Sequence, residues 1–220
     1  MDEDTRRLRV VFAKAGPLQY ISHLDLVRVW ERTLRRAGLP VAYTQGFNPR
    51  VRMQLAAALP LGHVGEAELM DIWLAGAVSP AYFKARVAPV SPEGLYVQEV
   101  FPIPLNAGAL PPQVISAEYR VWVPSAMMQP HTLLQAVARL LAASEWPAER
   151  RGRSYDLRPL IERLVVGEEA SDGEWQALDM RLAARPGATA RPEAVLEALG
   201  LNSMPARYYR RRLILQDDRL

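Results

Sequence analysis

The chain has 220 residues, half of them apolar, a formal net charge of +3 and no cysteine. This is enough apolar material for one large or two small cores, and it excludes intrinsic disorder, disulfides, thiolate zinc sites, a cysteine nucleophile and any iron-sulfur cluster held by the chain's own thiolates. The N-terminus is charged and lacks an apolar targeting segment, and no apolar run reaches membrane-spanning length, so a soluble, cytoplasmic protein is expected.

Arg7 to Phe12 alternates and runs into Gly16-Pro17, which predicts a strand and a turn. A helix is expected from Ser22 to Ala37. Ser22 is suited to cap free amides, Asp25 to answer the positive end of the dipole, and Gly38 to end the helix. Leu26, Val27, Trp30 and Leu34 recur at helical spacing and should face the core, while Asp25, Arg28, Arg32, Arg35 and Arg36 form the polar stripe. Val41 to Thr44 reads as a strand. Gln45-Gly46-Phe47-Asn48-Pro49-Arg50 is a breaker cluster that concentrates side-chain amides with Arg50 and, just beyond, Arg52. Val51 to Ala58 can run extended, Glu68 to Ala75 is strand-like, Pro80 to Val87 is a helix opened by Ser79-Pro80, and Leu95 to Phe101 is a strand.

The order β-α-β-β-α-β is the split arrangement of a ferredoxin-like fold. The breaker-rich Pro102 to Pro112 is the expected boundary, after which the order repeats: strand Glu118–Val123, helix Pro130–Ser144, hairpin Leu160–Val166 with Trp175–Ala183, helix Arg191–Leu199, strand Ala206–Leu215. The expected fold class is therefore α+β, two tandem ferredoxin-like domains over residues 1–103 and 114–220.

Of the 27 basic side chains only Lys14 and Lys84 are lysines. Guanidinium is planar, donates in pairs to phosphate and stacks on bases, which suits nucleic acid. Two clusters in the second half add to the stripe on the first helix. Glu149 to Arg153 leads into Ser154-Tyr155-Asp156-Leu157-Arg158-Pro159, and Arg207 to Arg212 interleaves Tyr208 and Tyr209 with arginines. Alternation puts Tyr208, Arg210 and Arg212 on one strand face, as a single-stranded RNA platform requires. Candidate RNA- or anion-binding residues are thus Asp25, Arg28, Arg32, Arg35, Gln45, Asn48, Arg50, Arg52, Tyr155, Arg158, Tyr208, Arg210 and Arg212. His23 is the candidate catalytic residue, a general base oriented by Asp25, and His23, Asp25, Gln45, Asn48 and Arg50 are expected at one pocket mouth. No Walker, Rossmann, HExxH or GxSxG motif occurs, and His23, His63 and His131 are too dispersed to specify a metal site.

GPLQYISHLDLVRVWERTLRRAGLPVAYTQGFNPR resembles a bacterial family of unknown function found as a partner of, or C-terminal fusion to, radical-SAM proteins. The resemblance covers roughly Arg9 to Leu74, with SYDLRPLIERL (Ser154 to Leu164) similar to a second, shorter signature; Arg50 stands where a His or Lys follows the Asn-Pro. It implies a radical-SAM protein as partner, RNA (tRNA or rRNA) as substrate, and no cofactor on this chain, the iron-sulfur cluster and S-adenosylmethionine belonging to the partner. The leading expectation is an RNA-binding accessory module without catalysis of its own. Tandem ferredoxin-like domains with a helix-borne histidine also look like the endoribonucleases that process CRISPR transcripts, which makes a metal-independent nuclease the alternative and a protein scaffold the third reading.

Overall fold

The computed structural model describes residues 5–127, 130–170 and 173–216. The chain divides into two compact units, Met1–Val114 and Ile115–Leu220, each combining β-strands with two helices, so the fold is α+β. Among the described residues no helix is long and apolar enough to cross a membrane.

In the first unit the order is β1 (Thr5–Lys14), α1 (His23–Arg36), β2 (Met53–Leu55), β3 (His63–Ala75), α2 (Pro80–Val87) and β4 (Leu95–Ile103). Across the sheet the strands lie β2-β3-β1-β4, every neighbour antiparallel, with Val10 opposite both Met70 and Val100. Period-two alternation divides β1 between the two faces. Leu8, Val10 and Phe12 join Trp30, Leu34, Phe83 and Val87 in the core, and Phe12 meets Trp30 edge to face at 5.0 Å. The intervening Arg7 and Arg9 are also buried, and both bond to Asp71 of β3.

α1 forms for the reasons its sequence announces. Ser22 Oγ accepts from the Asp25 amide at 3.1 Å, and Leu26, Trp30, Thr33 and Leu34 bury one stripe. Gly38, at φ 65, turns the chain out, with the Leu39 amide donating to the Leu34 carbonyl in a Schellman closure. The second strand differs from expectation. Val41 and Tyr43 make only isolated bridges, to Leu74 and Val51. The chain leaves the sheet edge at Ala42, whose amide donates to Trp73, and rejoins it at Arg52, whose carbonyl accepts from Trp73. What leaves between them is the Gln45 to Arg50 segment.

Gly94 carries a large part of this unit's closure. Its φ is +90, its carbonyl accepts from the Ala15 amide, and a Cβ there would run into the Ala15 carbonyl oxygen. Gly94→Ala is therefore expected to cost about 2 kcal/mol or more in urea-unfolding free energy, combining left-handed strain with a backbone clash. A loss below about 0.5 kcal/mol would show that the turn relaxes freely.

The second unit runs β5 (Val114–Pro124), α3 (Pro130–Ala142), β6 (Pro147–Arg150), β7 (Arg153–Asp156), β8 (Ile161–Glu169), β9 (Trp175–Arg185), β10 (Ala188–Thr189), α4 (Pro192–Ala198) and β11 (Arg207–Leu215). β8 and β5 flank β9 on either side, both antiparallel to it and both meeting Met180, through Leu164 and Tyr119 respectively; β11 lies beside β5. Val121, Leu133, Leu140, Leu164, Leu178, Met180, Leu182, Val195 and Leu213 are buried. The β6–β7 hairpin is an addition to the expected order. Its two-residue turn, Arg151 at φ 52 and Gly152 at φ 73, has the double left-handed conformation that matches strand twist.

Candidate nucleic-acid interface

α1 presents its polar stripe to solvent. Arg28, Arg32, Arg35 and Arg36 are all exposed along it, and Arg35 and Arg36 sit in the last turn, where a cation also suits the helix dipole. At the other end His23 opens the helix, half-buried. One oxygen of the Asp25 carboxylate accepts from Ser22 Oγ at 2.7 Å and the other from Arg28 at 2.8 Å. The Ser22 hydroxyl, and then Arg28, hold the Asp25 carboxyl below its ordinary range. Exposed Tyr20, Leu24 and Leu61 surround this helix start, with the Gly62 amide tied to the Gln19 carbonyl.

The second patch is the excursion from the edge of β3. Its stem is closed by Tyr43–Val51 pairing, by the Thr44 amide on the Arg50 carbonyl at 2.8 Å and by the Arg50 amide on Thr44 Oγ1 at 3.1 Å. Gln45 to Arg50 are exposed throughout, and Phe47 at the tip has 107 % of its reference surface in solvent. Arg52 belongs to the root instead: its guanidinium lies 4.6 Å from the Trp73 ring centroid, as does that of Arg7. The register separates the two patches. The helix start sits beside Lys14, opposite Gly65, while the excursion is rooted at Trp73, eight residues or about 26 Å further along β3. Hydrogen bonds join Ser22, Asp25 and Arg28 at the helix start, and Gln45, Asn48 and Arg50 lie on the exposed excursion.

In the second unit the candidates divide. Arg158 is half-buried, its Nε donating to the Leu141 carbonyl at the end of α3 and its Nη1 to the Ile161 carbonyl. Asp156 Oδ1 accepts from the Trp146 and Arg158 amides and Leu157 is fully buried, so Asp-Leu-Arg is a fold-holding element joining α3 to β8. On β11, Arg210 is 3 % exposed, so its side chain is covered where the sequence suggested an open platform. Arg212 bonds Glu118 at 2.8 and 3.3 Å, and burial, then Glu193, pushes the Tyr208 hydroxyl up. Arg207 lies over Trp175, 4.0 Å from its centroid. The basic cluster from Arg150 to Arg153 with Tyr155 was expected, but not the hairpin that carries it. The hairpin's only sequence signal was Arg-Gly, a weaker turn marker than Asn-Gly.

Arg212 holds Glu118 below its ordinary 4.5, opposed in part by burial. A depressed folded value means that the pair contributes above the unfolded pKa and that the contribution is lost as pH falls through the folded one. Arg212→Gln should therefore raise the Glu118 pKa, read by carboxyl NMR titration, and flatten the acid limb of stability below about pH 4.5. An unmoved Glu118 titration would show the pair to be open in solution.

A family model described as an uncharacterized protein conserved in bacteria (DUF2344) matches residues 7–192. None of the curated proteins matches the chain. Among solved structures, a chain in a Cbf5-Nop10-Gar1 complex is similar at 9% identity and a TM-score of 0.52, over 94% of this chain and 48% of that one. A chain in an H/ACA RNP bound to a substrate RNA containing 2'-deoxyuridine is similar at 12% identity and a TM-score of 0.48, over 94% and 47%. The present chain spans about half the length of each, and at 9% identity the likeness to the chain of the Cbf5-Nop10-Gar1 complex is one of fold alone.

Proposed function

We propose that this chain, which belongs to the family of uncharacterized proteins conserved in bacteria (DUF2344), is a cytoplasmic RNA-recognition module serving a radical-SAM enzyme in tRNA or rRNA modification. In this reading its units are tandem ferredoxin-like domains, residues 1–103 and 114–220. One observation carries it: from Arg32 to Gly65 there is no acidic residue, and this wholly cationic stretch projects a fully exposed Phe47 between Gln45 and Asn48, with Arg50 at the stem. An aromatic face stacks under any unpaired base, planar amides read base edges, and guanidinium meets phosphate. The arginine stripe of α1 extends the same potential. The radical-SAM partner follows from the resemblance of the Gly16 to Arg50 segment. A chain without cysteine leaves the cluster and S-adenosylmethionine to that partner.

The test is RNA binding by fluorescence anisotropy across a salt series, using tRNA and rRNA fragments. Arg28→Gln with Arg32→Gln should weaken binding and reduce the salt slope by about one for each phosphate that is no longer neutralised. An unchanged slope removes α1 from the interface. Cleavage of the bound RNA that disappears in His23→Ala would replace this reading with the endoribonuclease.

A further inference from the structure

We propose that the second unit carries a groove for a phosphorylated nucleoside, between the β6–β7 hairpin and the Gly187–Thr189 turn. The hairpin pairs Pro147 with Asp156, Ala148 with Tyr155, Glu149 with Ser154 and Arg150 with Arg153. Paired side chains share a face and successive pairs alternate, so Ala148, Tyr155, Arg150 and Arg153 lie on one side. Pro147, Asp156, Glu149 and Ser154 lie on the other. Charge is thereby sorted within a ribbon of two four-residue strands: two guanidiniums and a phenol on one face, two carboxylates on the opposite one.

Arg150, Arg153 and Tyr155 of the basic face, with Ser154, Asp156, Leu160 and the Gly187 to Thr189 turn, border a groove of about 520 Å³. This falls within the roughly 300–1,000 Å³ typical of small-ligand sites. Pro147, Glu149 and Ser154 of the acidic face border a separate groove with Trp146, Ala148 and Ala194, Glu197 and Ala198 of α4. The carboxylate that also borders the basic groove, Asp156, is engaged at Oδ1 by the Trp146 and Arg158 amides.

Folding alone gives no reason for this arrangement. Like charges directly opposite on a two-stranded ribbon repel, and an isolated ribbon has little stability to spare. Among the described residues, neither Arg150 nor Arg153 has a carboxylate partner. Two cations at the mouth suit one phosphate, and the half-buried Tyr155 ring two residues inward suits the base or ribose attached to it. The ligand is either a free nucleotide or one link of a single-stranded chain; in the second case the groove is part of the RNA interface and rests on that reading.

The experiment titrates the full chain with adenosine 5'-monophosphate, adenosine, inorganic phosphate and a short single-stranded RNA, following the Tyr155 ring resonances by NMR. Adenosine 5'-monophosphate is expected to shift them, and Arg150→Gln with Arg153→Gln to weaken its binding by about tenfold or more. Tyr155→Leu should weaken the nucleotide but not inorganic phosphate, and Glu149→Gln, on the opposite face, should change nothing. RNA bound more tightly than the mononucleotide through the same arginines assigns the groove to a chain, and equal affinity assigns it to a free nucleotide. Two results overturn the groove: Tyr155 unmoved by both nucleotide and RNA, or the arginine pair behaving like Glu149→Gln. RNA binding that depends on Arg32 but ignores Arg150 and Arg153 overturns the groove alone, while nucleotide bound here without any RNA affinity supports it and defeats the RNA module.

Discussion

Asp71→Ala is expected to lower the unfolding free energy by about 3–5 kcal/mol, a large part of the roughly 5–15 kcal/mol that domains possess. Asp71 is fully buried, and it accepts from Arg7 Nε at 3.1 Å and Nη2 at 2.7 Å, and from Arg9 Nε at 2.7 Å and Nη2 at 3.0 Å. Arg7 and Arg9 are themselves only 2 % and 5 % exposed, so removing the carboxylate leaves two desolvated cations facing each other. The loss is of compensation more than of packing. Asp71→Asn, which keeps the shape, should therefore fall much closer to Ala than to the native chain. Arg7→Met should cost less than either, since it leaves one guanidinium on one carboxylate and keeps an apolar stem against Trp73. Urea denaturation of the three variants decides it: an Asp71→Ala loss under about 1 kcal/mol would mean that water reaches the cluster.

The same cluster shows what could be read from the residues and what could not. α1 was legible because everything that makes it is local: the Ser22 cap, the Leu26-Trp30-Leu34 stripe, the Gly38 stop. The hairpin of β8 and β9 was legible from alternation on both sides of a Gly-bounded turn. The fate of each arginine was not. Arg9 meets its partner 62 residues away and Arg212 meets Glu118 at a separation of 94, while Arg52 and Arg207 lie against tryptophans remote in sequence. Spacing along a helix finds exposed arginines such as Arg28 and Arg32; spacing along a strand cannot say which face another element covers, as Arg210 demonstrates. The interruption of the second strand was hidden for a similar reason. Only the hydrogen bonds of Trp73, one accepted from Ala42 and one donated to Arg52, show that a single strand edge is left and rejoined.

Phe47→Ala is expected to reduce RNA affinity by about 1–3 kcal/mol, roughly a factor of 5 to 150, with no change in folding stability. The two halves of this forecast have different origins. Stability should not change because the wholly exposed ring buries nothing in the folded chain, and the stem hydrogen bonds between Thr44 and Arg50 are made without it. Affinity should change because a tip held by such a stem presents its ring without first having to be ordered, so the stacking energy is not spent on fixing the loop. The substituted residue is neutral, and so the salt dependence should keep its slope while the whole line moves to weaker binding. Arg50→Gln should do the reverse, lowering the slope by about one. Phe47→Trp should retain or improve binding, because stacking tolerates any large ring. Thr44→Val, which removes the hydroxyl that accepts from the Arg50 amide, should fall between, weakening binding through a looser stem. Unaltered RNA affinity in Phe47→Ala would take the tip out of the interface. If that same variant lost a co-purifying protein while still binding RNA, Phe47 would be the anchor of a protein interface, and the arginines of α1 would carry the RNA alone.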